Sequence, residues 1–379
     1  MKRLLFIGHD ASRTGAPFVL LHLLRWIRQN RPDWQVDLIL LHGGQLEADY
    51  REVAEVVVLP PWQDLGTIRN KLRKIRSAVD PEIGLRMTGL PHFRRKYGAV
   101  VGNTVVTLFH LNRFRRRGFW TCNWVHELDH SIEVLGLAAD FPKLTSGIDQ
   151  FIVGSGAVAA MFERKGIKKP VEIVYEFAPA PVHGAEIDIR AELGLQPGTI
   201  IVGACGTLEY RKGTDLFVDL ADRFKGDAGV HFLWIGRADS ASDPLYGETV
   251  EKIRRLGLND KVTIVKPGGA PGDHISALDV FVLSSREDPF PLVCLEAAAF
   301  GKPVVCFADA GGMPEFVCND AGSIVPFADV DALAAAVREL CDQPEKRIAA
   351  GRAAKLKTED EFSLDSSCER FFDIITANR

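Results

Sequence analysis

The stretch SSREDPFPLVCLEAAAFGKPVV, residues 284–305, holds a strand end, a helix pattern and the start of another strand. The apolar run DVFVLSS ends at Ser285 and predicts a buried strand. A helix is expected over 291–300. Gly301 suits the position after a last helical turn, and Pro303 cannot continue the helix. The stretch therefore predicts a strand, helix and strand in succession, which is the repeat of an α/β fold.

The same alternation runs along the whole chain. Apolar runs such as RLLFIG and VDLILL alternate with helical patterns such as PFVLLHLLRWIRQ, and the rhythm restarts with TIIVGACG. Runs that are apolar along their length are typical of parallel strands covered on both faces. We therefore predict two doubly wound domains, over 1–180 and 185–360, joined by a Pro/Ala/Gly-rich linker at 178–185. The cleft between them is the expected ligand site.

Composition narrows the class of protein further. The chain is 46% hydrophobic and 25% charged, which is typical of a soluble globular protein. No apolar run reaches the length of about 18 residues that a membrane-spanning helix needs. The start MKRLLFIGHD is too short for a signal peptide and predicts a first strand. Seven cysteines without a C-x-x-C pair favour neither disulfides nor zinc, so we expect a cytoplasmic protein.

Charge is concentrated in the first half of the chain. Residues 1–180 hold 25 Lys/Arg against 18 Asp/Glu, and residues 69–117 alone hold 13 against two. Aromatic and aliphatic residues are mixed into this basic segment, for example in RFRRRGFW. The pattern indicates either contact with an anionic membrane surface or anionic substrate, or simply a solvated face. The net charge of −4 argues against nucleic acid as a partner.

Each half offers one loop suited to a phosphate group. In HDASRTGAP, Gly15 allows close approach of a ligand to the backbone, and Pro17 fits the first turn of a helix. In VGACGTLEYRKGTD, Arg211 and Lys212 follow an apolar strand and precede a helix, where two cations are able to clamp a diphosphate. No G-x-G-x-x-G sequence is present, which argues against a nicotinamide-dependent oxidoreductase.

Carboxylates surround the helix that was described first. Glu287 and Asp288 precede it, and Glu296 lies in its second turn. Its first amides, from Leu292 and Val293, are suited to an anion, whereas the carboxylates repel phosphate and favour hydroxyls. A nucleotide-sugar has both groups. The alternative is that the first two acids only complement the helix dipole, which leaves the acid in the second turn unexplained.

These motifs carry a family resemblance. EDPFPLVCLEAAAFGKPVV, with RKG upstream and AGGMPEFV downstream, resembles the retaining glycosyltransferases of family 4 (glycosyl transferases group 1), which have the GT-B fold. The likeness is dense over about 195–330. In the family, two acids separated by seven residues hold the donor, and Asp288 and Glu296 have that separation. The segment 361–379 resembles the family's closing helix, which crosses back to the N-terminal, acceptor-binding domain.

The resemblance assigns roles to individual residues. It implies that Glu296 binds the ribose, that Asp288 or Glu287 binds the sugar hydroxyls, and that Arg211 and Lys212 bind the diphosphate. His126, which ends a predicted strand in TCNWVHELDH, matches the family histidine beside the reacting carbon. The catalytic candidates are therefore His126, Asp288 and Glu296, and the donor-binding candidates are Gly15, Arg211, Lys212, Glu287, Phe290, Leu292, Val293 and Glu296.

The sequence also departs from the family pattern. Pro289 and Pro291 stand where glycines are usual, which removes an amide donor. Thr207 stands where an arginine often follows the strand glycine, so that Arg211 is left to supply that charge. The first acid, Asp288, reaches one methylene less far than glutamate.

The implied activity is transfer of a sugar, with retention, from a nucleotide-sugar to a hydroxyl of a glycan or lipid-linked acceptor. Cell-envelope or exopolysaccharide biosynthesis is the expected setting, at the inner face of the membrane. No metal and no cofactor are expected, and a UDP-sugar is favoured over a GDP-sugar. Closure of the two domains is expected to exclude water from the donor. The alternative is a non-catalytic nucleotide-sugar-binding or membrane-docking protein.

Overall fold

The chain folds into two compact units. The computed structural model describes residues 2–59, 95–177, 188–236, 244–266 and 272–377. The first unit comprises Met1–Gly154, Val158–Val174 and Ser367–Arg379, and the second comprises Ser155–Ala157 and Tyr175–Ser366. The predicted linker at 178–185 lies outside the described residues.

The first unit is built on a seven-stranded sheet. Its order is β3-β2-β1-β4-β5-β6-β7, and all neighbouring strands are parallel. The strands are β1 Lys2–Gly8, β2 Trp34–Leu40, β3 Glu55–Val58, β4 Ala99–Asn103, β5 Thr121–Val125, β6 Gln150–Val153 and β7 Val171–Ile173. All residues of β4 and β5 are buried, as expected for strands covered on both faces.

Helices flank this sheet. They are α1 Gly15–Asn30, α2 Glu47–Val53, α3 Leu108–Arg115, α4 Asp129–Val134, α5 Phe141–Ser146 and α6 Gly156–Arg164, with a 3-10 turn at Val105–Thr107. Pro17 lies in the first turn of α1, as predicted, where its missing N–H costs no hydrogen bond.

The C-terminal helix packs into the first unit. Its residues from Ser367 onward belong to that unit, although the chain before them belongs to the second. The Phe371 ring lies 4.4 Å from that of Trp124, and the Phe372 ring lies 5.2 Å from that of Trp34. Because these rings are buried together, this helix forms part of the first unit's core.

The second unit is built on a six-stranded sheet in the order β10-β9-β8-β11-β12-β13, again with every neighbouring pair parallel. The strands are β8 Ile200–Cys205, β9 Val230–Ile235, β10 Val262–Val265, β11 Val280–Leu283, β12 Val304–Phe307 and β13 Gly322–Val325. The helices are α7 Ile189–Glu192, α8 Thr214–Asp222, α9 Pro244–Leu256, α10 Gly272–Ser276, α11 Leu292–Ala299, α12 Met313–Val317, α13 Val330–Asp342 and α14 Pro344–Asp360; α15 Leu364–Ala377 is the C-terminal helix, and a 3-10 turn covers Tyr210–Lys212.

Helix α11 confirms the expectation for the opening stretch to within one residue at each end. Gly301 has a φ of 71°, and its N–H donates to Ala298 O over 2.7 Å. The N–H of Lys302 donates to Ala297 O over 3.0 Å, which completes a Schellman motif. Cys294, Leu295 and the three alanines of α11 are buried, so that packing as well as propensity holds this short helix.

The fold class predicted from sequence, α/β with two Rossmann-like parallel sheets, is confirmed. Among the described residues, no helix combines the length and the apolar character needed to cross a membrane. All seven cysteines are free thiols, and four of them are buried.

Candidate nucleotide-sugar site

The strand order of the second unit determines which loops meet. After β8 the chain forms β9 and β10 on one side, and β11 then returns to the other side of β8, with Val280 paired to Val202. The sheet therefore has a switch point between β8 and β11. In parallel sheets, ligands bind at the carboxyl ends of the strands that flank such a point. The loops at 206–213 and 284–291 emerge there side by side.

Backbone contacts lock these two loops together. Gly213 has a φ of 66°, and a Cβ atom at that position would lie 1.9 Å from the carbonyl oxygen of Ser284. The N–H of Arg286 donates to Arg211 O over 2.7 Å, and Arg211 Nη1 donates to Glu287 O over 2.9 Å. Only glycine fits at position 213, so the last residue of the RKG motif is required by packing.

Lys212 and Asp288 form a buried ion pair at the centre of this loop pair. Lys212 Nζ lies 2.6 Å from Asp288 Oδ2, and the two side chains are 15% and 7% exposed. The same oxygen accepts from Ser285 Oγ over 3.3 Å and lies 3.8 Å from Arg211 Nη1. The structure thus brings two predicted cations to the first predicted acid, although 76 residues separate Lys212 from Asp288.

Glu296, the second predicted acid, lies partly buried in the second turn of α11. Burial raises the pKa of its carboxyl above the ordinary value of 4.5. The Cys205 thiol at the end of β8 has its pKa raised to about 12 by burial and, next, by the charge of Glu296. Glu296 therefore lies near the carboxyl end of β8, beside the loop that carries Lys212.

The remaining donor-binding candidates divide into two groups. Leu292 and Val293 are the first two residues of α11, partly exposed, in the turn whose amides have no partner within the helix. Phe290 is buried instead, with its ring 5.7 Å from that of Phe362 and 5.3 Å from that of Tyr175. Its side chain belongs to the core beneath the loop.

Sequence reasoning missed a further ion pair beside these loops. Arg286 makes two 2.7 Å hydrogen bonds to the carboxylate of Asp215, and its guanidinium lies 3.9 Å from the centroid of the Tyr210 ring. The pKa of Asp215 is lowered because the hydrogen bonds and charge of Arg286 outweigh the effect of burial. A signal was present in sequence, since Tyr210 adjoins Arg211 and Arg286 adjoins Glu287.

His126, from the first unit, directly follows β5 and is half-buried. Its Nε2 lies 2.7 Å from Asn103 Oδ1, and Asn103 Nδ2 donates to Ala16 O over 3.0 Å at the start of α1. The backbone N–H of His126 donates to Glu127 Oε2 over 3.0 Å. The ring is therefore oriented by β4 and α1. Gly15 opens α1 and is exposed.

Two further histidines accompany His126. Burial lowers the pKa of His9, Asp10 raises it, and the charges of His126 and His42 lower it again. These histidines follow β1, β2 and β5, whose carboxyl ends lie along one edge of the sheet. Within the ranges that the structure covers, no group of His, Cys, Asp or Glu is arranged to hold a metal ion.

Only the second part of the basic segment, 95–117, lies within the described residues. Arg113 is buried at 2% exposure with its guanidinium 4.6 Å from the centroid of the Phe109 ring, and Phe114 is fully buried. Arg115 pairs with Asp149 over 2.7 Å. Arg116 and its neighbours 115 and 117 are exposed, whereas the adjacent ring of Phe114 is buried. The exposed surface here therefore presents cations but not that aromatic ring.

A cavity of about 640 Å³ lies elsewhere in the first unit. Arg3 and Asp37 line it, as do Arg51 and Glu55, near the amino ends of β1 and β2. Asp37 accepts from Arg3 over 2.6 Å and from Arg95 over 2.7 Å. Ligands of parallel sheets bind at the opposite edge, so we do not assign the cavity to the site.

A protein-family model matches the sequence of the second unit. Residues 186–357 match the model of the family Glycosyl transferases group 1. The matched stretch includes Arg211, Lys212, Asp288 and Glu296, and therefore the whole loop pair described above.

Two curated relatives are glycosyltransferases. The chain is 31% identical over 184 residues to the lipopolysaccharide core biosynthesis mannosyltransferase LpsB of Rhizobium meliloti. The aligned stretch covers 47% of this chain and 52% of the relative. It is 28% identical over 196 residues to a GDP-mannose-dependent monoacylated alpha-(1-6)-phosphatidylinositol monomannoside mannosyltransferase of Corynebacterium glutamicum, covering 49% of each chain. The chain thus spans about half the length of these curated relatives.

The whole chain resembles a solved structure. The Anabaena protein Alr3699/HepE, crystallised with UDP and glucose, superposes with a TM-score of 0.80 over 100% of both chains at 17% identity. At this identity the likeness shows the fold, and the GT-B fold predicted from sequence is confirmed.

Proposed function

We propose that this protein is a retaining glycosyltransferase that transfers a sugar from a nucleoside diphosphate sugar to a hydroxyl of a glycan or lipid-linked acceptor in envelope or exopolysaccharide biosynthesis. One observation carries the proposal. Lys212 and Arg211 converge with Asp288 at the switch point of the second sheet, within the stretch that matches the group 1 model. Cations suited to a diphosphate thus lie beside the acidic pair Glu287 and Asp288.

The donor is proposed to bind to the second unit. Arg211 and Lys212 would hold the diphosphate, together with the amides of Leu292 and Val293 at the start of α11. Glu296 would accept hydrogen bonds from the ribose hydroxyls, and Asp288 or Glu287 from those of the sugar. The buried ring of Phe290 supports the loop from below.

A UDP-sugar is the favoured donor, and no cofactor is proposed. The Anabaena neighbour was solved with UDP, which supports this choice, whereas the Corynebacterium relative is named for GDP-mannose.

The first unit is proposed to bind the acceptor. His126, oriented by its contact with Asn103, would lie against the sugar beside the reacting carbon. Gly15 would present the start of α1 to the phosphates, because the positive end of a helix favours an anion.

The proposed reaction proceeds without a metal. As the C–O bond between sugar and diphosphate breaks, negative charge grows on the leaving phosphate oxygen. The cations Arg211 and Lys212 would stabilise this charge, together with the α11 amides. Because the charge is larger in the transition state than in the ground state, the transition state would be stabilised more. The bond between the acceptor oxygen and the sugar carbon forms on the same face, and the leaving phosphate oxygen takes the acceptor's proton.

The setting is proposed to be the inner face of the membrane, with the basic segment 69–117 attracting anionic lipid or an anionic saccharide. The lipopolysaccharide and phosphatidylinositol names of the two relatives support a lipid-linked acceptor. Acidic headgroups attract exposed Lys and Arg by roughly 1 kcal/mol each, and salt weakens this attraction.

A thermal-shift screen tests the donor site first. UDP, GDP, ADP and dTDP, each with common sugars attached, are added to the wild type and to Glu296→Ala. A nucleotide at 100 times its dissociation constant is expected to stabilise the wild type by about 2.7 kcal/mol. Stabilisation of the wild type alone by one base supports the donor site and identifies the base, whereas no stabilisation by any nucleotide contradicts it.

Transfer itself requires a separate assay. Slow hydrolysis of the stabilising donor in the absence of acceptor distinguishes an enzyme from a protein that only binds nucleotide-sugars. NMR of the released or transferred sugar shows which anomer forms first. Formation of the inverted anomer would contradict the retaining mechanism.

A further inference from the structure

The ion pair between Lys212 and Asp288 constrains what the first acid is able to bind. Asp288 Oδ2 accepts from Lys212 Nζ over 2.6 Å and from Ser285 Oγ over 3.3 Å. The Asp288 side chain is only 7% exposed, against 15% for Lys212. A carboxylate that is this buried, and whose Oδ2 already accepts from two donors, is poorly placed to receive hydroxyls of a ligand from solvent.

The backbone holds Asp288 in this position. Its N–H donates to Ala310 O over 2.7 Å, and it forms a parallel bridge with Gly311. Aspartate has one methylene less than glutamate, so its carboxylate reaches less far from a backbone that is fixed on the loop after β12. The short side chain therefore ends at Lys212.

The lysine is held along its whole length. Ser284 Oγ donates to the Lys212 carbonyl over 3.1 Å. The Cδ and Cε atoms of Lys212 lie 3.5 Å from the position that a Cβ atom would take at Gly206. The aliphatic part of the lysine side chain therefore runs over the end of β8. The ammonium has three donors, and Asp288 Oδ2 takes one of them. The described part of the chain offers no other acceptor to this ammonium, so two donors are left for a ligand.

We infer that Asp288 is a positioning residue, whose carboxylate aims the ammonium of Lys212 at the diphosphate, and that Glu287 is the acid that meets the sugar hydroxyls. This inference rests on the proposed function of the same loop pair. Glu287 is partly exposed, and its carbonyl is held by Arg211. The two acids are assigned different roles because Asp288 is buried, whereas Glu287 is more accessible.

Binding of a nucleotide without its sugar separates the two roles. Dissociation constants of UDP and UDP-glucose are measured by calorimetry for the wild type, Asp288→Asn, Lys212→Met, the double variant and Glu287→Gln. If Asp288 aims Lys212, Asp288→Asn weakens both ligands to the same degree, by about tenfold for one charge-assisted contact. The double variant then binds UDP no more weakly than Lys212→Met does. Glu287→Gln is the matched control and weakens UDP-glucose alone.

Several outcomes would overturn the inference. Asp288→Asn that weakens UDP-glucose but leaves UDP within about twofold would make Asp288 a sugar ligand. Tighter binding of UDP by Asp288→Asn would show that the carboxylate competes with the diphosphate. Wild type that binds neither UDP, GDP nor their sugars would contradict the proposed function, and the inference with it, before any variant is compared.

A milder variant guards against misfolding. Ser285→Ala removes only the hydroxyl contact to Asp288 and keeps both charges. We expect it to weaken UDP and UDP-glucose equally, by about threefold. Unchanged UDP binding with weaker UDP-glucose binding would contradict the positioning role even if Asp288→Asn did not fold.

Discussion

The two units of this protein assemble polar groups at strand ends in different ways. In the second unit the groups come from two adjacent loops and bind one another, as Lys212 binds Asp288. In the first unit His9, His42 and His126 come from three strands, and His126 is oriented by an asparagine of a fourth. A site built from two short motifs can be recognised as a sequence pattern. A site built from single residues that are spread along the chain has no such pattern. This difference agrees with a family match confined to 186–357.

The largest expected effect lies in the packing of the two loops of the second unit. Gly213→Ala places a Cβ atom 1.9 Å from the Ser284 carbonyl oxygen at a φ of 66°. We expect a loss of at least about 3 kcal/mol in the free energy of unfolding, measured by chemical denaturation, together with loss of nucleotide binding. The matched control is Gly194→Ala, since Gly194 has a φ of 63° with no atom within 4 Å. It should cost only about 1 to 2 kcal/mol. Equal losses for both variants would show that the loops are not locked by this contact.

The next largest effect tests the first unit. His126→Ala is expected to lower kcat by about a hundredfold, while the dissociation constant of the donor nucleotide stays within about twofold. His130→Ala, at an exposed position four residues along, is the control and should keep full activity. A wild-type rate for His126→Ala would remove His126 from the reaction.

A smaller effect comes from the charge of Glu296. Because burial raises its folded pKa above 4.5, the folded state binds the proton more tightly than the unfolded state. The carboxyl therefore destabilises the protein increasingly as pH rises from 4.5 through the folded pKa. Glu296→Gln should match the wild-type Tm below this range, exceed it above, and lose nucleotide binding. Glu248→Gln, at an exposed position, controls for loss of one carboxylate. A lower Tm for Glu296→Gln at neutral pH would contradict the burial cost.

The smallest effect concerns the exposed cations after α3. Replacing Arg116 and Arg117 by Gln is expected to weaken sedimentation with anionic vesicles by up to roughly 1 kcal/mol per residue, and to leave neutral vesicles unaffected. The double substitution of Lys168 and Lys169 by Gln is a charge-matched control in the same unit. Equal binding of the wild type to neutral and anionic vesicles would dismiss the membrane interpretation.

Much of the second unit was predictable from sequence because its signals are local. Helix α11 was expected over 291–300 and spans Leu292–Ala299, since an apolar run, a glycine and a proline define it together. Phe290 shows where local signals end. It is among the donor-binding candidates that the family resemblance implies, and its ring packs against Phe362, far along the chain.

By itself, the sequence determined the alternation of strands and helices, the two-domain class and the identity of the charged motifs. Each of these depends on residues that are neighbours in the chain. Only the tertiary structure decided that Lys212 meets Asp288, that Arg286 binds Asp215 beneath Tyr210, and that His126 rests on Asn103. Such pairs depend on which strands lie side by side. Strand order is set by the burial of whole sheets, to which no short motif corresponds.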